Sequence, residues 1–288
     1  MRLAFLLTAL AAAQTNQVGF VFDNPYYTAD LTPRTVNGKI EDSGQVRGLV
    51  YKQFHVRLER TQNRMHWAPS FQRVGAKGYS SIAMWTPVQQ HQRRDTKDAV
   101  ILTRSGHHAD YPEIQLDAQY IFPRNAPYFL FRSTMSIVKP MEMYWLRNQE
   151  MTMDDQFTHV AWPARDGKPV IVDFEARKPI LEKEPLPVDI PWVAFFHREK
   201  GYGFGAVVLQ YKATKTANPK TSINDGANNG KYWDRRIIDQ TPTHLDIGDR
   251  FDEETAFVLF EARKDAPIAN FLEWERKIRA LAPLFNRR

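Results

Sequence analysis

Several groups of side chains in this sequence have the types and spacing that proton transfer on a charged substrate requires. His55 and Arg57 stand two residues apart in Phe54-His55-Val56-Arg57-Leu58-Glu59. On an extended chain, i and i+2 share a face about 6.5 Å apart, so Arg57 can grip a substrate carboxylate while His55 works beside it. His107 and His108 lie with Asp110 in Ser105-Gly106-His107-His108-Ala109-Asp110-Tyr111. Neighbours on a strand point to opposite faces, so both imidazoles reach one ion only from a loop. Read as a loop, this segment offers His108 for proton transfer near neutral pH, or is plain surface. His159, in Phe157-Thr158-His159-Val160-Ala161-Trp162, is either a hydrogen-bonded core histidine or half of an imidazole–carboxylate pair, with Glu150, Asp154 and Asp155 close in sequence.

The polar stretch from Ser222 to Arg236 ends in Tyr232, Trp233, Arg235 and Arg236. Its rings suit stacking on a sugar and Arg235 suits a uronate; the alternative is a simple hairpin tip. Asn224, Asp225, Asn228 and Asn229 supply oxygens for calcium, but without EF-hand spacing, so no metal and no cofactor is the expectation and calcium the alternative. Walker loop, dinucleotide fingerprint, Gly-x-Ser-x-Gly elbow and His-Glu-x-x-His are all missing, which disfavours nucleotide, lipase and zincin chemistry. With no cysteine, thiol nucleophiles, iron–sulfur clusters and structural disulfides drop out too.

The elements that must position these groups are strands. Period-two alternation places Phe54, Val56 and Leu58 opposite Tyr51, His55 and Arg57, and Phe129, Phe131, Met135 and Ile137 opposite Tyr128, Arg132, Thr134 and Ser136. Further strands are expected over 115–122, 170–175, 192–197, 204–211 and 256–263, separated by turn chemistry such as Asp166-Gly167. One helix is expected near the end, capped by Asp265, with Ile268, Phe271, Leu272, Ile278 and Leu281 near one face. One-sided alternation without intervening βαβ helices predicts an all-β chain, a large antiparallel β-sandwich with a short C-terminal helix.

A 288-residue chain that is 43% hydrophobic can bury a sizeable core, so disorder is excluded. Residues 1–13 read as an export signal, with Arg2, an apolar run and Ala11-Ala12-Ala13, leaving residues 14–288 as one β-sandwich domain, secreted or periplasmic. No later stretch reaches the roughly 20 apolar residues a spanning helix needs. The net charge of +6 is local: residues 47–104 hold eleven Lys and Arg against three acidic residues, interleaved with Trp67, Phe71, Tyr79 and Trp85. Such a segment suits an acidic polysaccharide, or is a solvated face in which Arg stems cover apolar surface. Nucleic acid is disfavoured for want of any binding motif.

Phe22-Asp23-Asn24-Pro25-Tyr26-Tyr27-Thr28-Ala29-Asp30-Leu31 as an opening strand, Glu41 to Arg47 leading into another, and Tyr120-Ile121-Phe122-Pro123-Arg124-Asn125-Ala126-Pro127-Tyr128 before a third resemble the galactose-mutarotase-like β-supersandwich proteins of carbohydrate metabolism. The resemblance implies a supersandwich that holds a sugar on a concave sheet; it transfers no catalytic residue. Combined with the residue types, it leads to a secreted enzyme that cleaves an acidic polysaccharide by β-elimination. Arg57 or Arg132 would neutralise the uronate, His108 or His159 would take its proton, and Tyr232 would protonate the leaving oxygen, with His55, Trp233 and Arg235 binding substrate. The alternatives are a mutarotase-like epimerase using His159 with Glu150 or Glu261, and a binding module without catalysis.

Overall fold

The computed structural model describes residues 20–32, 34–36, 39–41, 46–58, 70–78, 80–81, 90–108, 110–153, 156–174, 186–226 and 230–285. The expected signal segment, Trp67, Tyr79 and Trp85, and the side chains of His108, Glu150, Asp154, Asp155 and residues 224–229 lie outside what is described. Among the described residues, nine strands form one antiparallel sheet in the spatial order Pro169–Asp173, His159–Pro163, Trp192–His197, Tyr202–Ala213, Arg250–Glu261, Tyr128–Ile137, Tyr111–Pro123, Ala99–His108 and Gln90–Asp95. A second sheet runs Lys220–Gly226, Gly230–Ile238, Met141–Met153, Ser70–Arg73 and Ser80–Ser81, with Thr243–Leu245 also paired to Met141–Met153. A smaller sheet holds Val21–Asp23, Tyr27–Asp30, Gly48–Tyr51 and Val56–Arg57.

These sheets meet because alternation gives each an apolar side. Phe129, Phe131, Met135 and Ile137 point into a core shared with Leu146, Ile223 and Trp233 of the second sheet and Phe22, Ala29 and Leu49 of the small one. Ring contacts such as Phe22–Phe122 at 5.0 Å and Tyr27–Phe129 at 6.2 Å tie the small sheet to the large. The result is the expected antiparallel β-sandwich. Bounds at Tyr128–Ile137 and Trp192–His197 match the alternation to the residue. Asp166-Gly167 makes the expected turn, with Gly167 at φ 81 and its N–H donating to the Ala164 carbonyl.

The C-terminal helix, Ala269–Phe285, begins four residues beyond Asp265, which sits in a preceding turn. It lays Phe271 and Ile278 on the outer side of the nine-stranded sheet, the side facing away from the second sheet, where they join Leu130, Val207, Ala256, Val258 and Phe260. Phe271 sits 5.2 Å from the Phe260 ring and 5.5 Å from Trp192. Arg279 then donates to the Val208 and Pro191 carbonyls, fixing the helix at its far end. No helix among the described residues is long and apolar enough to cross a membrane.

Three local expectations are corrected. Lys52–Phe54 is a 3-10 turn and His55 follows at φ 51, a left-handed conformation that Asn, Asp and His adopt more readily than other non-glycine residues. Alternation is therefore broken there, and Val56–Arg57 folds back on Gly48–Tyr51 as a tight hairpin, with Val50 opposite Arg57. His107 and His108 end a strand rather than occupying a loop, with a register shift between them before His108 pairs Tyr111. Within the stretch read as a polar loop, 222–226 and 230–236 belong to two paired strands, and Trp233 and Arg235 face into the sandwich, where both are buried.

Candidate functional site

The outer face of the nine-stranded sheet changes character halfway along its strands. Leu130 faces outward beside Ala256 and Ile121, and Ile121 beside Ile101: this row is apolar and belongs to the helix-covered half. One step further on the same face, Arg132 stands between Glu254 and Gln119, Gln119 beside Thr103, and Glu254 beside Gln210. The next row sets Lys212, Asp252, Thr134, Asp117 and Ser105 side by side. Beyond it lie Arg250, Ser136, Gln115 and His107. A shallow cavity of about 210 Å³ opens over Arg132, Thr134, Gln119, Asp117 and Thr103.

The polar side chains hold one another in place. Arg132 Nη2 donates to Glu254 Oε1 at 3.0 Å and its Nη1 to Gln119 Oε1 at 3.3 Å. Thr134 Oγ1 and Arg250 Nε donate to the two oxygens of Asp252 at 2.6 and 2.7 Å. Burial pushes the Asp252 carboxyl up, but the hydrogen bonds from Arg250 and Thr134 outweigh it and hold the group below its ordinary value. Gln115 reaches both Ser105, at 2.8 Å, and Asp117, at 3.3 Å. His107 donates through Nδ1 to the Ile114 carbonyl at 3.1 Å. Amide, hydroxyl, carboxylate and guanidinium groups thus repeat at the strand spacing of about 4.8 Å, and several of them hold one another by hydrogen bonds.

The sequence-derived site residues do not converge on one cleft. Arg132 alone of them is described on this polar half. His159 shares the outer face but lies on a strand four positions away, about 19 Å across the sheet. Its ring stacks 5.1 Å from Phe196 and meets Thr158 Oγ1 at 2.8 Å; burial, with Arg198 adding, lowers its pKa. Glu261, its suggested partner, is three strands over. Tyr232 faces outward from the second sheet, on the opposite side of the sandwich. His55 and Arg57 are exposed at the edge of the small sheet. His108 is placed by backbone alone, beside the strand end that brings its neighbour His107 to the polar face.

Trp233 and Arg235 belong instead to a polar layer between the sheets. Arg235 and Glu253 form a fully buried ion pair, and Arg235 Nε donates to the Val188 carbonyl at 2.6 Å. Its guanidinium carbon lies 5.2 Å from the Tyr211 ring and 5.3 Å from that of Trp233. Burial drives the Glu253 carboxyl upward against the pull of Arg235. Ser133 accepts from Asn148 and Gln149 alongside. These groups cannot reach an external polysaccharide.

Part of the basic segment is also spent on internal pairing. Lys52 pairs with Asp23, Arg73 with Glu113 and Arg93 with Asp95, Arg104 is buried beneath the sheet, and Phe71 is core. Among the described residues no three His, Asp or Glu side chains gather as metal ligands do.

Sequence reasoning missed Glu254, Asp252, Asp117, Gln119 and Arg250. The signal lay in how alternation changes along single strands: Arg250, Asp252 and Glu254 give way on the same face to Ala256, Val258 and Phe260. Tyr111–Pro123 repeats it, with Gln115, Asp117 and Gln119 followed by Ile121.

No protein-family model matches the chain, and no curated protein matches it in sequence. Similar solved structures include a GH36 alpha-galactosidase from Geobacillus stearothermophilus, at TM-score 0.52 and 8% identity over 85% of this chain and 41% of that one. A galactose mutarotase-like protein from Lactobacillus casei aligns at TM-score 0.48 and 11% identity, over 84% of this chain and all of that one. A TPR-domain containing protein from Parabacteroides distasonis aligns at TM-score 0.49 and 13% identity, over 88% and 48%. The chain thus spans less than half of two of these three structures. With identity this low, the likeness to the alpha-galactosidase is one of fold.

Proposed function

We propose that the polar half of the nine-stranded sheet's outer face binds carbohydrate. The observation that carries this reading is the run of Gln210, Glu254, Arg132, Gln119 and Thr103 across neighbouring strands, backed by Asp252, Thr134 and Asp117 in the next row. Adjacent sugar hydroxyls both donate and accept, and this face supplies both capacities at a regular spacing in a shallow depression. The alpha-galactosidase with the matching fold, solved with 1-deoxygalactonojirimycin, is a carbohydrate-active protein and lends the same support. In this reading the chain is exported through residues 1–13 and meets its glycan outside the cytoplasm.

A finer reading is cleavage of a uronic-acid polysaccharide by β-elimination, which requires Arg132 to exchange Glu254 and Gln119 for the uronate. Arg132 would then neutralise the uronate, Asp117 or His107 would accept its C5 proton as the C4–O bond breaks and the C4–C5 double bond forms, and water would protonate the departing oxygen. The test is retention of the protein on immobilised neutral and uronate polysaccharides, with ultraviolet absorbance of a new conjugated double bond read in parallel. Retention that weakens at least about tenfold in Arg132→Ala, as loss of a charge-assisted hydrogen bond would cause, supports the binding face. New absorbance adds the elimination, and retention without product leaves a binding module. No retention on any glycan, or retention indifferent to Arg132→Ala, overturns the reading.

A further inference from the structure

We infer that Glu254 is the specificity-determining residue of this face, setting its preference between neutral and acidic glycans by occupying the guanidinium that a ligand carboxylate would need. The inference rests on the carbohydrate reading of the same face and adds what selects the ligand.

Both ion pairs of the face put the cation outermost, and they differ in how the guanidinium and carboxylate are engaged. In Arg250–Asp252 the cation is outermost, with its side chain 54% exposed, and both carboxylate oxygens are engaged by Arg250 and Thr134. The Asp252 carboxylate thus has a partner on each oxygen. In Arg132–Glu254 the carboxylate lies at the base, 7% exposed, and the guanidinium stands over it at 27%. A ligand approaching from solvent therefore meets Arg132 first, with Glu254 behind it.

A ligand carboxylate gains most from a bidentate grip, which takes two parallel N–H groups of one guanidinium. Arg132 directs Nη2 to Glu254 and Nη1 to Gln119, so such a ligand must displace or share both. It would also face repulsion from Glu254 and from Asp117, two residues from Gln119 on the adjoining strand and on the same face. Across the polar half, Arg132, Arg250 and Lys212 are matched by Asp117, Asp252 and Glu254, which leaves no surplus positive charge for an anion. A neutral sugar meets none of these costs, since its hydroxyls can accept from Arg132 and donate to the carboxylates without displacing the pair.

The test uses the full chain and a panel of neutral and uronate-containing oligosaccharides, with the dissociation constant measured for wild type, Glu254→Gln and Asp252→Asn. Glutamine keeps the shape of Glu254 and an oxygen for Arg132 but removes the competing charge. Glu254→Gln is expected to shift the acidic-to-neutral affinity ratio at least about tenfold toward acidic ligands, the size of one charge-assisted hydrogen bond. Asp252→Asn, which removes a charge from the same face but not from Arg132, is expected to shift it less than about threefold. A merely structural role for Glu254 would weaken both ligand classes alike and leave the ratio in place. If wild type binds glycans and Glu254→Gln leaves the ratio unchanged, or Asp252→Asn shifts it as far, the inference is overturned while the carbohydrate reading stands. If none of the three proteins binds any glycan, both fall.

Discussion

Leu130 and Arg132 occupy successive outward positions on one strand, about 6.5 Å apart, yet the two halves of the face they belong to are organised on different principles. Around Leu130 the face is finished by burial: Phe271, Ile278 and Ile268 of the C-terminal helix and its approach close over Val207, Ala256, Val258 and Phe260. Around Arg132 it is finished by hydrogen bonds among side chains that stay partly open to solvent. The register shift between Val208 and Gln210 falls at the boundary, where that strand also changes from apolar to polar outward residues. The same strand pairs thus carry a core and an open polar face end to end. The helix packs on the apolar half alone and leaves the polar half open to solvent.

The largest expected effect breaks the covered half alone. Phe271 is fully buried against Trp192 and Phe260, so Phe271→Ala should lose about 3–5 kcal/mol by urea unfolding, through lost burial and the cavity left behind. Glycan retention per folded molecule should be unchanged. A matching loss of retention would show that the halves are not separable.

Overfilling the same half should cost less. A Cβ on Gly205 would lie 2.4 Å from the Phe271 ring, closer than packed atoms allow, and the ring is enclosed on its other sides. Gly205→Ala should therefore destabilise by about 1–3 kcal/mol. Pairing it with Phe271→Ala sharpens the point, because removing the ring removes the clash. In the double variant the two losses should be clearly less than additive; simple additivity would mean that the helix does not sit where the ring contacts place it.

The apolar half was legible in sequence, whereas of the polar half only the change of outward residues along each strand could be read, for a physical reason. Alternation in Tyr128–Ile137, the Asp166-Gly167 turn and the one-sided apolar face around Phe271 are local patterns, read within a single element. Arg132 gains its meaning from Glu254 and Gln119, which pair with it across strands and lie far apart in sequence, and no local spacing encodes that. Trp233 and Arg235 misled in the opposite way. A strand rich in polar and charged residues resembles a loop unless the buried carboxylate that receives its arginine, here Glu253 from the other sheet, is known. His55 failed through its backbone, because a left-handed residue after a 3-10 turn removes the alternation that placed it beside Arg57.

The smallest expected effect tests whether the polar half is held by its hydrogen bonds, and it is read as a dependence on pH. Asp252 sits below the ordinary carboxylate value of 3.8, burial opposing and the bonds from Arg250 and Thr134 prevailing. A carboxylate depressed in the folded state contributes stability that is complete above its unfolded value and is lost as pH falls through the lower folded value. Thr134→Val keeps the shape and removes one of the two bonds, so it should cost about 1 kcal/mol or less near pH 7, the site being partly exposed. As acid protonates Asp252 in both proteins, the bond ceases to be charge-assisted, and the difference between them should shrink as pH falls through the depressed folded value. Urea midpoints of wild type and Thr134→Val across that range decide the matter. A gap that stays constant from neutral to acid would mean that Thr134 contributes through packing rather than by holding the Asp252 charge, and the polar half would then be more like the apolar one than its residues suggest.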